Sequence, residues 1–235
     1  MKKGPSNDPS VHRPLRIGLF GGTFNPVHIG HLRCMVEIRE SFFIDQLVII
    51  PSASPPHKAM EGMVNASERL SMLKLSVSGM PLFTVSDVEI ERKGPSYSID
   101  TVKYFKGIVH ASDELFFIMG IDAFLELDTW KSHEELLALI PIIIMNRPGK
   151  WTAKDISSSE AVEKYLKTHI SPMYNVSDGQ ARFVHPLKQD VFLQNVTPLD
   201  ISSTRIRQLV ESGKSIRYLV PDCVADVIEQ KGLYK

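Results

Sequence analysis

The sequence predicts an α/β fold: a doubly wound parallel sheet with helices on both faces, in a single domain over residues 15–235. Three observations predict it. Short apolar runs recur at Arg16–Phe20, Gln46–Ile50, Leu115–Met119 and Ile142–Met145, as expected of parallel strands buried on both faces. Segments with apolar residues at helical spacing fall between them, and alternating strands and helices give a parallel sheet. The first run ends at Gly21-Gly22, a strand-to-helix turn of the kind where open α/β sheets hold ligands. The arrangement is Rossmann-like.

The 235 residues suffice for a proper core without metal or disulfide staples. The 27 Lys and Arg balance the 27 Asp and Glu, so nothing points to nucleic acid or an anionic membrane as partner. Local phosphate sites stay open, because a few residues make them. Cys34 and Cys223 form no CxxC pair and lie in helical patterns, which points to buried thiols in a reducing, cytoplasmic compartment. Residues 1–14 are polar, hold three prolines and read as a disordered leader without the apolar core of a secretory signal. The run Leu136–Met145 is broken by Pro141 and is too short to span a bilayer.

After the first strand, an amphipathic helix from about Gly30 carries Leu32, Met35, Val36 and Ile38. The second strand ends at Pro51 and opens a loop containing Pro55-Pro56-His57-Lys58. Asn65 with Glu68 is a capping-box pattern ahead of Leu70, Leu73 and Val77. Phe83–Ile90 alternates like a strand, and Ile99, Val102 and Phe105 fit a helix. Leu115–Met119 closes at Gly120; Ser132 and Glu135 start a helix through Leu139, followed by the Ile142–Met145 strand. Residues 151–170 suggest a polar helix with Val162, Leu166 and Ile170, while Arg182–His185 and Val191–Leu193 suggest short strands. Segment 151–190 is the least regular and reads as an insertion. Two helices finish the chain, Ile201–Val210 stopped at Gly213 and Pro221–Ile228 stopped at Gly232.

Two stretches carry chemistry. The first runs from Gly21 and Gly22 through Thr23, Phe24, Asn25, Pro26 and Val27 to His28-Ile29-Gly30-His31. Glycines let backbone approach a phosphate, and a helix N-terminus offers N–H groups at a positive dipole end. His28 and His31 are three apart, so both can face one pocket and donate to phosphate oxygens. The second is Ile201-Ser202-Ser203-Thr204-Arg205-Ile206-Arg207. Its three hydroxyls suit helix caps; equally, its N–H groups and Arg207 suit an anion. Two such helix ends in one sheet fit a nucleoside triphosphate gripped from both sides.

The His-Ile-Gly-His tetrapeptide with the late Ile-Ser-Ser-Thr-x-Ile-Arg resembles the nucleotidyltransferase superfamily, in particular bacterial nicotinate-mononucleotide adenylyltransferases. Further segments agree in order: Pro55–Lys58, Pro95-Ser96-Tyr97-Ser98 with Thr101, Gly120-x-Asp122, Thr129-Trp130, Arg147-Pro148-Gly149, and Tyr218–Pro221 with Gly232-Leu233-Tyr234. The likeness covers roughly residues 15–150 and 195–235. Asn25 stands where many members carry Asp.

The resemblance implies transfer of AMP from Mg-ATP to nicotinate mononucleotide, giving deamido-NAD and pyrophosphate in NAD biosynthesis. It implies that Gly21, Gly22, Thr23, Phe24, His28, His31, Ser202, Ser203, Thr204 and Arg207 bind ATP, with His28, His31 and Arg207 serving the transfer. It assigns Asn25, His57, Lys58, Tyr97, Thr101, Asp122 and Trp130 to the acceptor, with Trp130 stacking on the pyridine. On residue type alone Trp130 and Tyr97 read equally as core aromatics, and Lys58 as a solvated loop lysine. Mg²⁺ is expected on the triphosphate and water, without a protein cage. The acceptor phosphate is already an anion, so in-line alignment and charge neutralisation are the tasks. A homo-oligomer stays open. Nicotinamide mononucleotide is the closest rival acceptor, followed by phosphopantetheine. A class I aminoacyl-tRNA synthetase shares the histidine tetrapeptide, but this chain has no Lys-Met-Ser-Lys-Ser sequence. A non-catalytic nucleotide sensor would bind ATP without releasing pyrophosphate.

Overall fold

The computed structural model describes residues 12–54, 62–92, 94–147, 157–177 and 181–235. Each long apolar run forms a strand: β1 (Arg16–Gly22), β2 (Gln46–Pro51), β4 (Glu114–Gly120) and β5 (Ile142–Asn146). The short strands are β3 (Phe83–Val85), β6 (Asn175–Ser177), β7 (Arg182–Val184) and β8 (Val191–Asn195). Among the described residues they make one sheet in the order β3-β2-β1-β4-β5-β8-β7-β6.

The sheet is parallel from β3 to β8. At the far edge of this parallel sheet, β7 runs antiparallel to β8 and β6 antiparallel to β7. One expectation needs correction: Phe83–Ile90 is not one strand. Pairing with β2 stops at Val85, opposite Ile49, although β2 runs on to Pro51. The Ser86 hydroxyl then accepts from Val88 N–H, and Asp87 O accepts from Ile90 and Glu91, winding α3 (Val88–Glu91).

The larger helices between strands are α1 (Ile29–Ser41), α2 (Ala66–Ser76), α4 (Ser98–Ile108), α6 (His133–Leu139) and α7 (Ser158–Tyr165), with a four-residue α5 (Ile121–Phe124) after β4; α8 (Ser203–Glu211) and α9 (Asp222–Gln230) follow the last strand. A π-helical turn, Leu166–Ile170, extends α7. Asn65 caps α2 by accepting from Glu68 N–H at 2.8 Å. The reciprocal half of the capping box is replaced: the Glu68 carboxylate meets Lys231 at 2.6 Å, joining α2 to the end of α9. Gly213 and Gly232, with φ of 64° and 59°, stand in the left-handed conformation that ends α8 and α9.

Strand alternation sends side chains to two apolar clusters. Leu19, Phe117, Ile142 and Ile144 pack with Val102 and Phe105 of α4 and Leu136 of α6. Phe20, Ile49, Ile118 and Ile143 pack with Met35 and Ile38 of α1, Leu73 of α2, Ile206 of α8 and Ile228 of α9. Of the leader 1–14, residues 12–14 are described. His12 meets Asp113 at 2.6 Å and Arg13 meets Asp45, while the backbone N–H of Leu15 and Arg16 bonds to the same two carboxylates. Among the described residues no helix is long and apolar enough to cross a membrane.

The edge of β1 is tightly fitted. Phe24 takes a left-handed φ of 50°, is 2 % exposed and folds its ring under Gly22, where an added Cβ would lie 2.7 Å from Cζ. Gly22→Ala is expected to lower unfolding stability by about 1–3 kcal/mol. Combining it with Phe24→Leu should cost less than the two single losses together, measured by urea denaturation. Strict additivity would show that the ring is not what excludes a side chain at position 22.

Candidate active site

The strand order reverses at β1, with β2 on one side and β4 on the other. The crevice outside the carboxyl ends of these strands is the expected ligand position. The chain leaves β1 at Gly22, turns through Phe24 and a cis Asn25-Pro26 bond, and enters α1 at its N-cap His28.

His28 and His31 cap α1 reciprocally. His28 Nδ1 accepts from His31 N–H and His31 Nδ1 accepts from His28 N–H, each at 3.3 Å. Both Nδ1 atoms thus act as acceptors, which places each ring proton on Nε2, the nitrogen remote from the backbone. The rings stack at 3.6 Å between centroids, and the edge of Phe24 meets His31 at 5.1 Å. Gly30 makes room for this: a Cβ there would lie 3.1 Å from His28 Nδ1. Leu219 O takes the Ile29 N–H at 3.0 Å.

The second motif is brought against the first. A Cβ on Gly30 would lie 3.7 Å from the Ile201 side chain, so the N-terminus of α8 adjoins that of α1. Ser202 is the N-cap of α8, accepting from Arg205 N–H. Ser203 Oγ donates to Pro26 O at 2.8 Å, and Arg207 Nη1 donates to Asn25 O at 2.9 Å. Arg207 Nη2 also donates to Thr204 Oγ1 at 3.3 Å. The capping role expected of the three hydroxyls is filled by Ser202, while Ser203 docks the helix on the turn.

Asn25 is 5 % exposed and its amide is occupied by the protein. Nδ2 donates to Gly62 O at 3.1 Å; Oδ1 accepts from Val64 N–H at 3.2 Å and from Tyr234 OH at 2.9 Å. Burial pushes the Tyr234 phenol above its ordinary pKa, so it stays a donor. Arg69, absent from the sequence reading, is 1 % exposed. Its guanidinium donates to Thr23 O at 2.7 Å, Val64 O at 3.0 Å and Ala53 O at 3.3 Å. Burial draws its pKa below the ordinary arginine value. A signal existed, since Arg69 shares helical spacing with Met72 and Leu73, both fully buried.

A cleft of about 280 Å³ opens beside Gly21, Gly22 and Thr23, with Glu89, Tyr97 and Trp130 in its lining. It lies on the α4 side of the sheet, where Tyr97 and Trp130 pack, opposite the α1 and α8 side. Tyr97 and Trp130 therefore share one pocket. Thr101 does not line it: at 1 % exposure it stands behind, donating to Glu89 Oε1 at 2.6 Å. Asp122 is exposed on α5, outside the lining. His57 and Lys58 lie outside the described residues. Both cysteines are free, Cys34 buried and Cys223 half-buried, and burial raises the Cys34 thiol pKa. Among the described residues no three His, Cys, Asp or Glu side chains converge on a common point.

The family described as cytidylyltransferase-like matches residues 19–209. A protein of Desulfatibacillum aliphaticivorans named "probable nicotinate-nucleotide adenylyltransferase" is 41 % identical, covering 94 % of this chain and 100 % of its own. One of the same name from Pseudomonas syringae pv. tomato is 43 % identical over 94 % of this chain and 95 % of its own. Among solved structures, the Plasmodium falciparum nicotinic acid mononucleotide adenylyltransferase complexed with NaAD has a TM-score of 0.69 at 18 % identity, covering 94 % of this chain and 97 % of that one. That likeness concerns the fold; the relatives carry the family. The motif spacing, the paired helix ends at the strand-order reversal and these identities agree: the chain belongs to the nicotinate-nucleotide adenylyltransferase family of cytidylyltransferase-like nucleotidyltransferases.

Proposed function

We propose that this chain transfers AMP from Mg-ATP to nicotinate mononucleotide, yielding deamido-NAD and pyrophosphate. The observation that carries the reading is the docking of the α1 and α8 N-termini across Asn25-Pro26, beside a cleft that holds Trp130. Two helix ends supply N–H groups and positive dipole ends to one polyanion. Arg207 adds a full charge.

In this reading the Nε2–H groups of His28 and His31 donate to phosphate oxygens, and His31 stabilises the α-phosphoryl group as charge grows in transfer. Gly21, Gly22 and Thr23 let ATP phosphate approach over the end of β1, with Phe24 supporting the His31 ring. Ser203, Thr204 and Arg207 hold the triphosphate, and Ser202 fixes their helix. Trp130 stacks on the pyridine, with Tyr97 on the same wall and Asp122 near the ribose. Lys58, with His57, meets phosphate by resemblance. Asn25 and Thr101 act one step back, on the loops and on Glu89.

The donor set is hydrogen-bond-donating and cationic, which suits phosphate oxygens more than a bare cation. Mg²⁺ bound to phosphate and water oxygens would neutralise triphosphate charge. The acceptor phosphate needs no general base, so the chain's own residues position and neutralise. Two free cysteines suit a reducing, cytoplasmic setting.

Pyrophosphate release by the purified protein with Mg-ATP is expected to be faster with nicotinate than with nicotinamide mononucleotide, and to stop on chelation. Preference for the amide form would move the acceptor assignment, and no release with either would end the reading. His31→Ala should lower kcat by roughly 10²–10³-fold with the fold retained; near-normal turnover would remove His31 from the transfer. Trp130→Ala should raise the acceptor KM well above any change in the ATP KM. Equal changes would make Trp130 structural.

A further inference from the structure

The cleft beside Trp130 carries charge that the transfer above does not use. Glu89 lines it yet is 7 % exposed. Burying a carboxylate is costly unless something complements it. Its hydrogen bond among the described residues comes from Thr101, which itself accepts from Arg92 at 3.1 Å. Lys131, a cation on the same lining, is turned to Asp100 at 3.3 Å and to the Tyr97 ring at 4.3 Å. Glu126 is a second carboxylate on that lining. Among the described residues the lining thus holds two carboxylates against one ammonium, with the Arg92 guanidinium behind Thr101 rather than in the cleft, while across Gly21-Gly22 stand Arg207 and two helix N-termini. Such a bipolar site fits a ligand with a cation at one end and phosphate at the other.

We propose that Glu89 is the charge partner of a pyridinium ring. The inference rests on the functional reading above: a pyridine mononucleotide carries a quaternary, permanently cationic ring nitrogen at one end and a phosphate at the other. The indole face of Trp130 attracts such a cation, and the Glu89 carboxylate adds its field in a partly desolvated pocket. Lys131 leaves the carboxylate substituent of a nicotinate ring a cation on the same wall. Thr101 is then a positioning residue that holds Glu89 from behind. This selects pyridine mononucleotides over uncharged phosphorylated acceptors.

The test uses pyrophosphate release with two acceptors that differ in ring charge: nicotinamide mononucleotide and its reduced, neutral dihydro form. The wild-type protein is expected to favour the cationic ring by about tenfold in kcat/KM. Glu89→Gln keeps the side-chain shape and an acceptor for Thr101. It should shrink that preference to the smaller share Trp130 supplies, lower kcat/KM for nicotinate mononucleotide about tenfold and leave the ATP KM unchanged. The preference is a ratio within one preparation, so loss of folded protein cancels from it. Equal losses for both ring forms, or an undiminished preference, overturn the inference and leave the functional reading standing. A wild-type protein that releases no pyrophosphate with any pyridine mononucleotide overturns both.

Discussion

The turn at Asn25-Pro26 is the constraint on which the site depends. Its two consecutive carbonyls accept from Arg207 and Ser203 of α8, and Arg69 grips Thr23 O just before it. Hydrogen bonds from a charged guanidinium are stronger than neutral ones. They hold a segment that has no ladder of its own and whose ordering costs entropy. A reaction governed by alignment needs this fixity, because small misplacements of a reacting group lose large factors in rate.

The same turn explains why asparagine suits position 25. The amide uses both its donor and its acceptor: Gly62 O on one side, Val64 N–H and Tyr234 OH on the other. An aspartate could keep the two donors but would set a carboxylate against the Gly62 carbonyl. The departure from the common family residue is thus met by a local exchange of hydrogen bonds, and it adds no charge to a buried place.

Much of this architecture is legible in the sequence, for physical reasons. The central residues of β1, β2, β4 and β5 are buried on both faces, so they form continuous apolar runs that announce themselves. The two motifs are legible because a tight turn into a helix and a capped helix start use glycine, histidine and hydroxyl residues in short, recognisable runs. The β6–β7 edge is not, since three-residue polar strands owe their form to a neighbour. Phe83–Ile90 alternates in hydropathy, but alternation does not reveal that Ser86 and Asp87 turn the chain into a short helix. Arg69 and Glu89 are hidden because charged residues read as solvated, and only tertiary packing shows that carbonyls or a threonine surround them. The resemblance implies acceptor contact for Thr101; packing places it behind Glu89, whose residue type alone carries no signal of the site.

The contacts that close the turn span the sequence: Ser203 reaches back 177 positions to Pro26, Arg207 182 to Asn25, and Tyr234 209 to Asn25. Joining such distant points carries a loop-closure cost and slows folding. The site therefore assembles only when both ends of the domain are in place. Any ligand held by α1 and α8 together binds the native chain and not the unfolded one, so its concentration feeds directly into global stability. The protein's resistance to unfolding and proteolysis would then rise with the concentration of that ligand.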